Sequence, residues 1–142
     1  MLRQDEERRR EKTEKYKGSS LDAETKESML ELLRNVMENS DEVFTSDFTI
    51  DRLAELSNLK SKIVSQVINE LCGTNFNSFV NEYRIKEACK RMNDREATAN
   101  LTIEAIGNGV GFKSRNSFIS AFKKFTGLTP SEYQNIAKEH QK

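Results

Sequence analysis

The chain has 142 residues, with 23 Lys or Arg against 23 Asp or Glu and a formal net charge of zero. That is enough for one ordinary domain, or two very small ones sharing a core. With His140 the only histidine, Cys72 and Cys89 in no CxxC pattern and no apolar run near the ~20 residues of a membrane helix, a structural metal site and a membrane span are argued against.

Nothing in the first residues resembles a secretory signal. The two cysteines read as small buried hydrophobes, with a disulfide as the alternative. Residues 1–17 are almost wholly charged or polar, and Arg8, Arg9 and Arg10 stand between Glu6, Glu7 and Glu11. They read as a solvated helix or tail held by i,i+4 pairs, or as a connector from an upstream domain. Gly18-Ser19-Ser20 breaks the run, so 1–20 is set apart as connector or tail.

An amphipathic helix is expected from Asp22 to about Glu38, within a segment 21–44. Its apolar stripe is Met29, Leu30, Leu33, Val36 and Met37, and Asn39-Ser40-Asp41 ends it. Residues 45–76 hold a short helix (Ile50–Ser57), a turn at Asn58-Leu59-Lys60 and a second helix (Ser61–Cys72). Ser61 is the expected N-cap and Gly73 the expected stop. A long helix fills 77–96, with Phe79, Val80, Tyr83, Ile85, Ala88, Cys89 and Met92 as apolar positions and Arg84, Lys86, Lys90 and Arg91 as basic ones. After a polar loop, 97–142 carries a short helix from Ile103, the turn Gly109-Val110-Gly111-Phe112 and a helix at Ser114–Thr126. Thr129-Pro130-Ser131-Glu132 then starts a last helix, with Thr as N-cap, Pro first and Glu three residues after the cap. No strand-like alternation of any length is present, so the fold is expected to be all-α.

Residues 49–79 and 102–133 repeat one pattern. Ile50, Leu53, Leu59 and Ser61 match Ile103, Ile106, Phe112 and Ser114 at an offset of 53, since 103 − 50 = 53. Val67, Ile68, Gly73 and Phe79 match Ala121, Phe122, Gly127 and Tyr133 at 54, since 127 − 73 = 54. One supersecondary unit used twice, with one residue added in a turn, accounts for both offsets.

If each copy is a helix-turn-helix, its second helix buries one stripe and offers the other to base edges. The first copy would bury Val64, Val67, Ile68 and Leu71, leaving Lys62, Ser65, Gln66 and Asn69 outside. The second would bury Phe118, Ala121, Phe122 and Phe125, leaving Arg115, Asn116, Ile119, Ser120 and Lys123 outside. Arg115 suits guanine, Asn116 or Gln66 suits adenine, and Ile119 suits a thymine methyl. Lys123 and Lys124 suit phosphates. A plain amphipathic helix would also carry a polar outer face, so periodicity alone leaves both readings open. Charge favours the first. Asp22–Asp41 holds six acids against two bases, whereas Arg84 onward holds eleven bases against six acids.

The second copy reads Ile103-Glu104-Ala105-Ile106-Gly107, then Val110-Gly111-Phe112, Ser117-Phe118, Ala121-Phe122-Lys123-Lys124-Phe125 and Gly127-Leu128-Thr129-Pro130-Ser131-Glu132-Tyr133. In these residues the chain closely resembles the AraC-type (AraC/XylS) transcription regulators. The first copy fits through Leu53-Ala54, Ser57, Leu59, Gly73, Phe76 and Phe79, with Tyr83-Arg84-Ile85 on the long helix. The resemblance covers roughly residues 45–136.

It implies a seven-helix domain in which two helix-turn-helix units are joined by a linker helix. Both recognition helices would enter successive major grooves on one face of double-stranded DNA. It implies Lys62, Ser65 and Gln66 as base readers in the first unit, and Arg115, Asn116, Ile119 and Ser120 in the second. Two departures stand out: Gln66 where the family often has Arg, and Ile68-Asn69-Glu70 where Phe-Lys-Lys often follows. Glu70 would repel phosphate if it faced the backbone.

The function expected is sequence-specific DNA binding by a cytoplasmic bacterial transcription regulator, with RNA polymerase as a second partner and no cofactor. A sensor domain upstream, even a membrane-anchored one, is expected from the resemblance rather than from these residues. The alternative is a helical protein-interaction module that docks through helix 22–38. An enzyme is the weakest reading, since no nucleophile stands beside a base and no Gly-rich loop follows a strand.

Overall fold

In the computed structural model residues 22–140 are described, and no strand occurs among them. The charged segment 1–20 and its Gly18-Ser19-Ser20 break lie outside the described residues. The helices are α1 (Ala23–Asn39), α2 (Ile50–Ser57), α3 (Ser61–Cys72), α4 (Phe76–Asn93), α5 (Arg95–Thr98), α6 (Ile103–Gly109), α7 (Arg115–Thr126) and α8 (Pro130–His140), with a 3₁₀ turn at Asp41–Phe44. The all-α expectation holds. The one α-helix beyond the seven expected is the single turn α5, where a polar loop was expected; Asp94 caps it by accepting from the Ala97 N–H.

Local chemistry starts most of these helices. Asp22 accepts from the Thr25 N–H at 2.8 Å, Thr49 from Arg52, Asn75 from Ser78 and Thr102 from Ala105. Each bond satisfies one of the donors a helix start leaves open. The Thr129/Glu132 box forms in both directions, at 2.9 and 3.1 Å. Ser61 departs from expectation. The N-cap of α3 is Lys60, and the Ser61 hydroxyl instead donates to the Asp51 carboxylate at 2.5 Å, across the turn from α2.

Two cores result. The first gathers Leu30, Leu33 and Met37 of α1 with Val43, Phe48, Leu53, Ala54, Ile63, Val64, Val67 and Ile68, and with Phe79 and Val80 of α4. The second gathers Ile85, Ala88 and Met92 of the same α4 with Ile106, Val110, Phe112, Phe118, Ala121 and Phe122. The long helix thus lends its N-terminal half to one core and its C-terminal half to the other. Burying each such side chain contributes about 1.5–3 kcal/mol. This matters for α3, whose Ile63, Val64, Val67 and Ile68 are poor intrinsic helix formers held helical by packing.

Leu71 was expected in the α3 stripe but is 38% exposed, and Ile63 at 2% takes its place. The last turn of α3 runs along the polar flank of α1, where Leu71 borders a shallow groove with Glu27, Glu31 and Arg34. Phe125 is half-buried against the second core. Cys72 and Cys89 are free thiols packed against the first and second core respectively, and burial pushes the Cys89 thiol pKa up. No helix among the described residues is long and apolar enough to cross a membrane.

Candidate nucleic-acid interface

The two copies superimpose in their backbone devices. α2 ends on Asn58, left-handed at φ 57°, and the equivalent residue after α6 is Gly111 at φ 109°, since 58 + 53 = 111. Asparagine tolerates that region through its short polar side chain, and glycine pays no Cβ penalty there. The second helices stop on Gly73 and Gly127, both left-handed. The N-caps of these helices are Lys60 and Ser114, an offset of 54 (114 − 60). The residue added in the second copy therefore lies between Phe112 and Ser114, just ahead of the helix.

That register corrects the match of Ser61 with Ser114: it pairs Ser61 with Arg115, Lys62 with Asn116, Ser65 with Ile119, Gln66 with Ser120, Asn69 with Lys123 and Glu70 with Lys124. Val64 and Phe118 are each fully buried, as are Ile68 and Phe122. These four turn the remaining stripe outward on both helices. In α7 the outward stripe is Arg115, Asn116, Ser120 and Lys123, all exposed, with Ile119 half-buried beside them. In α3 it is Lys62 and Asn69, exposed, with Ser65 and Gln66 half-buried. Every predicted reader thus lies on the outer face of one of two equivalent helices. The side chains of Lys62, Arg115, Asn116 and Ser120 bond no other described residue and remain available.

The two faces differ in charge. The first turn of neither α3 nor α7 carries an acid, whereas α1, α2, α6 and α8 carry Glu24, Asp51, Glu104 and Glu132 there. An acid-free N-terminus leaves its N–H groups and positive dipole end open to a phosphate. α7 adds Lys123 and Lys124 in its last turn, while α3 adds Glu70. Glu70 is not a bare charge. Lys26 of α1 is ion-paired with it and, more than any other group, holds its carboxyl below the usual range. Gln66 Nε2 donates to the same carboxylate at 3.3 Å, and Asn69 donates to Ser65 at 3.4 Å. Two of the three readers of α3, Ser65 and Gln66, are therefore partly engaged with neighbours on their own helix, and Arg115, Asn116 and Ser120 of α7 are not. Lys124 also differs from expectation. Its Nζ donates to Ser78 of α4 at 3.1 Å and lies 5.4 Å from the Phe125 ring centre, which turns it toward the linker helix.

Several positioning residues carried no signal in the sequence. Arg52 bonds Glu42 with two nitrogens, at 2.6 and 2.8 Å, and Glu55 with a third at 2.9 Å, fastening α2 to the 3₁₀ turn. Arg84 of α4 points inward and is buried, whereas Arg91, its side chain partly exposed, reaches along the surface to both units. The apolar face of α1, the expected docking surface of the alternative reading, is used up inside the first core.

A family model described as a helix-turn-helix domain matches residues 53–136. The transcriptional activator RhaR of Salmonella dublin is 25% identical over 128 residues, which is 90% of this chain and 43% of that protein. The chain spans less than half the length of the curated relatives it matches. Among solved structures, the C-terminal domain of AraT, a response regulator from Geobacillus stearothermophilus, is 25% identical with a TM-score of 0.58. The match covers 74% of this chain and 84% of that one. A transcriptional regulator with an AraC-type DNA-binding domain from Chromobacterium violaceum shares the fold at 19% identity and TM-score 0.61, over 82% and 96% of the two chains.

Proposed function

We infer function from a plain premise: the chain belongs to the AraC-type helix-turn-helix family, whose model spans more than half of it. It is a DNA-binding domain of a transcription regulator. We further propose that α3 and α7 read successive major grooves on one face of double-stranded DNA, roughly 34 Å apart.

One observation carries this reading. Two equivalent helices, each preceded by a left-handed turn residue and ended by a left-handed glycine, pack with the two halves of one long helix, α4, and carry outward polar stripes. In this reading Arg115 and Asn116 make bidentate contacts to guanine and adenine, and Ile119 and Ser120 complete the second half-site. Lys62, Ser65 and Gln66 read the first, and Lys123 holds a phosphate. The units of the reading are segment 21–44 as a brace for the first helix-turn-helix (45–76), a linker segment (77–96) whose helix is α4, ending at Asn93, and the second helix-turn-helix (97–142), with 1–20 as connector. Contact with RNA polymerase, an upstream sensor, a cytoplasmic location and the lack of a catalytic step belong to the same proposal.

The test is selection of duplexes from a randomised library, followed by binding in rising salt. A recovered consensus with two half-sites about one helical turn apart, and a steep fall of affinity with salt, is the expected result. Uniform affinity for all duplexes overturns the reading.

A further inference from the structure

We propose that Arg84, assisted by Arg91, is a positioning residue that fixes the mutual orientation of the two recognition helices and thereby the half-site spacing the chain accepts. This rests on the DNA reading above.

The two arginines stand seven residues apart on α4, two turns along one face. Each touches both units, in opposite senses. Arg84 Nε donates to the Val43 carbonyl at 2.8 Å and its terminal nitrogen to the Thr45 carbonyl at 2.7 Å. Those carbonyls belong to the 3₁₀ turn and the stretch leading into α2, in the first unit. The same guanidinium lies 5.9 Å from the ring centre of Phe112, and a methyl on Gly111 would come within 2.6 Å of its Nε. Those residues form the turn before α7, in the second unit. Arg91 reverses the roles: it donates to the Gly109 carbonyl of the second unit at 2.8 Å and lies 5.6 Å from the Phe44 ring centre of the first. Phe44 itself packs against both cores.

Arg84 is only 9% exposed, and no described carboxylate is paired with it. Burying an unpaired cation is unfavourable, and an apolar side chain of similar volume commonly serves stability as well or better. What a guanidinium adds is direction. Its donors are held in a rigid planar fork, so both carbonyl bonds and the ring contact form together in only one arrangement of the three elements. Hydrophobic contact between the two units along α4 would tolerate small rotations; this fork does not. A rotation at this point is carried straight into the separation and phase of α3 and α7.

The experiment has two arms. In the first, spin labels at Glu55→Cys and Glu104→Cys, in a Cys72→Ala/Cys89→Ala background, report the distance between units without DNA. A narrow distribution is expected, and Arg84→Met should broaden it about twofold while helicity is kept. An unchanged width overturns the proposal. In the second arm, a duplex selected by the unsubstituted chain is lengthened or shortened by about two base pairs between half-sites. The unsubstituted chain should discriminate about tenfold or more against the altered spacing, and Arg84→Met less than about threefold. A uniform loss of affinity with discrimination intact would make Arg84 merely structural and overturns the proposal too. If the unsubstituted chain selects no sequence, the DNA reading fails while the spin-label arm still decides the clamp. Should Arg84→Met not fold, Arg84→Lys and Gly111→Ala, which disturb the fork from either side, are read in the same way.

Discussion

Lys26, on the first helix, is ion-paired with Glu70 on the outer face of the first recognition helix, and Gln66 donates to that same carboxylate. A helix that lies outside the repeated unit thus sets the charge of one reader. The carboxylate that would repel a phosphate if it faced one is compensated by a lysine 44 positions earlier (70 − 26).

Removing the lysine should therefore weaken DNA binding, although Lys26 is not itself among the expected readers. Lys26→Ala is expected to lower affinity severalfold at low salt, with the deficit shrinking as ionic strength rises. Glu70→Gln should act in the opposite direction, by removing a negative charge and releasing Gln66. Fluorescence anisotropy with one duplex over a salt series measures both. Equal shifts in the same direction would show that Glu70 does not feel the DNA.

The two classes of contact on α7 should separate cleanly. Arg115→Ala is expected to relax preference at one base position, at a cost of about 1–3 kcal/mol on the preferred duplex. Lys123→Ala is expected to weaken all duplexes alike and to reduce the salt slope by about one. Competition binding against single-base variants of the selected site distinguishes them. A base-specific effect from Lys123→Ala would reverse the assignment.

The second core should be sensitive at a glycine. A methyl at Gly107 would stand 2.7 Å from the Phe118 ring, which is itself fully buried between Phe112 and Phe122 at centroid distances of 5.3 and 5.7 Å. Gly107→Ala should destabilise by about 1–3 kcal/mol through overpacking, despite alanine's better helix propensity. Phe118→Ala should cost about 3–5 kcal/mol. Urea unfolding measures both; a Gly107→Ala protein more stable than the parent would mean that α6 and α7 can separate without loss.

The start of α8 should register in acid. The Thr129 N–H, and after it the Thr129 side chain, holds the Glu132 carboxyl below its usual range. A depressed carboxyl stabilises the folded state above its unfolded pKa and loses that contribution as pH falls through the folded value. Glu132→Gln should therefore flatten the acid limb of stability, leaving the neutral-to-alkaline limb parallel to the parent. Thermal unfolding across the acid range tests this; an unaltered acid limb would show that the box contributes nothing.

What the sequence made legible was local. Thr129-Pro130-Ser131-Glu132 and Gly73 mark helix ends because caps bond residues three or four positions away. The duplicated spacing exposed the repeat because each unit must bury the same stripe. Ser61 misled because its hydroxyl found Asp51, ten residues back, in place of its own helix. Leu71 misled because periodicity says which face points inward but not how far the neighbouring helix extends over it. Arg84 stood in the sequence only as one of the basic positions of the long helix, and the arrangement of Val43, Thr45 and Phe112 shows it turned inside. Such contacts join residues some 30–40 positions apart, where no spacing rule reaches.

The division of α4 between the cores has a consequence for how the chain comes apart. A cut between Val80 and Ile85 would leave each unit its own share of α4, Phe79 and Val80 with the first and Ile85, Ala88 and Met92 with the second, and would divide the helix that joins them. What such a cut removes is what reaches across: Phe44 from the second core, and the Arg84 fork from one unit or the other. The two units are therefore expected to unfold in one cooperative transition, so that whatever steadies one half is felt thermodynamically by the other.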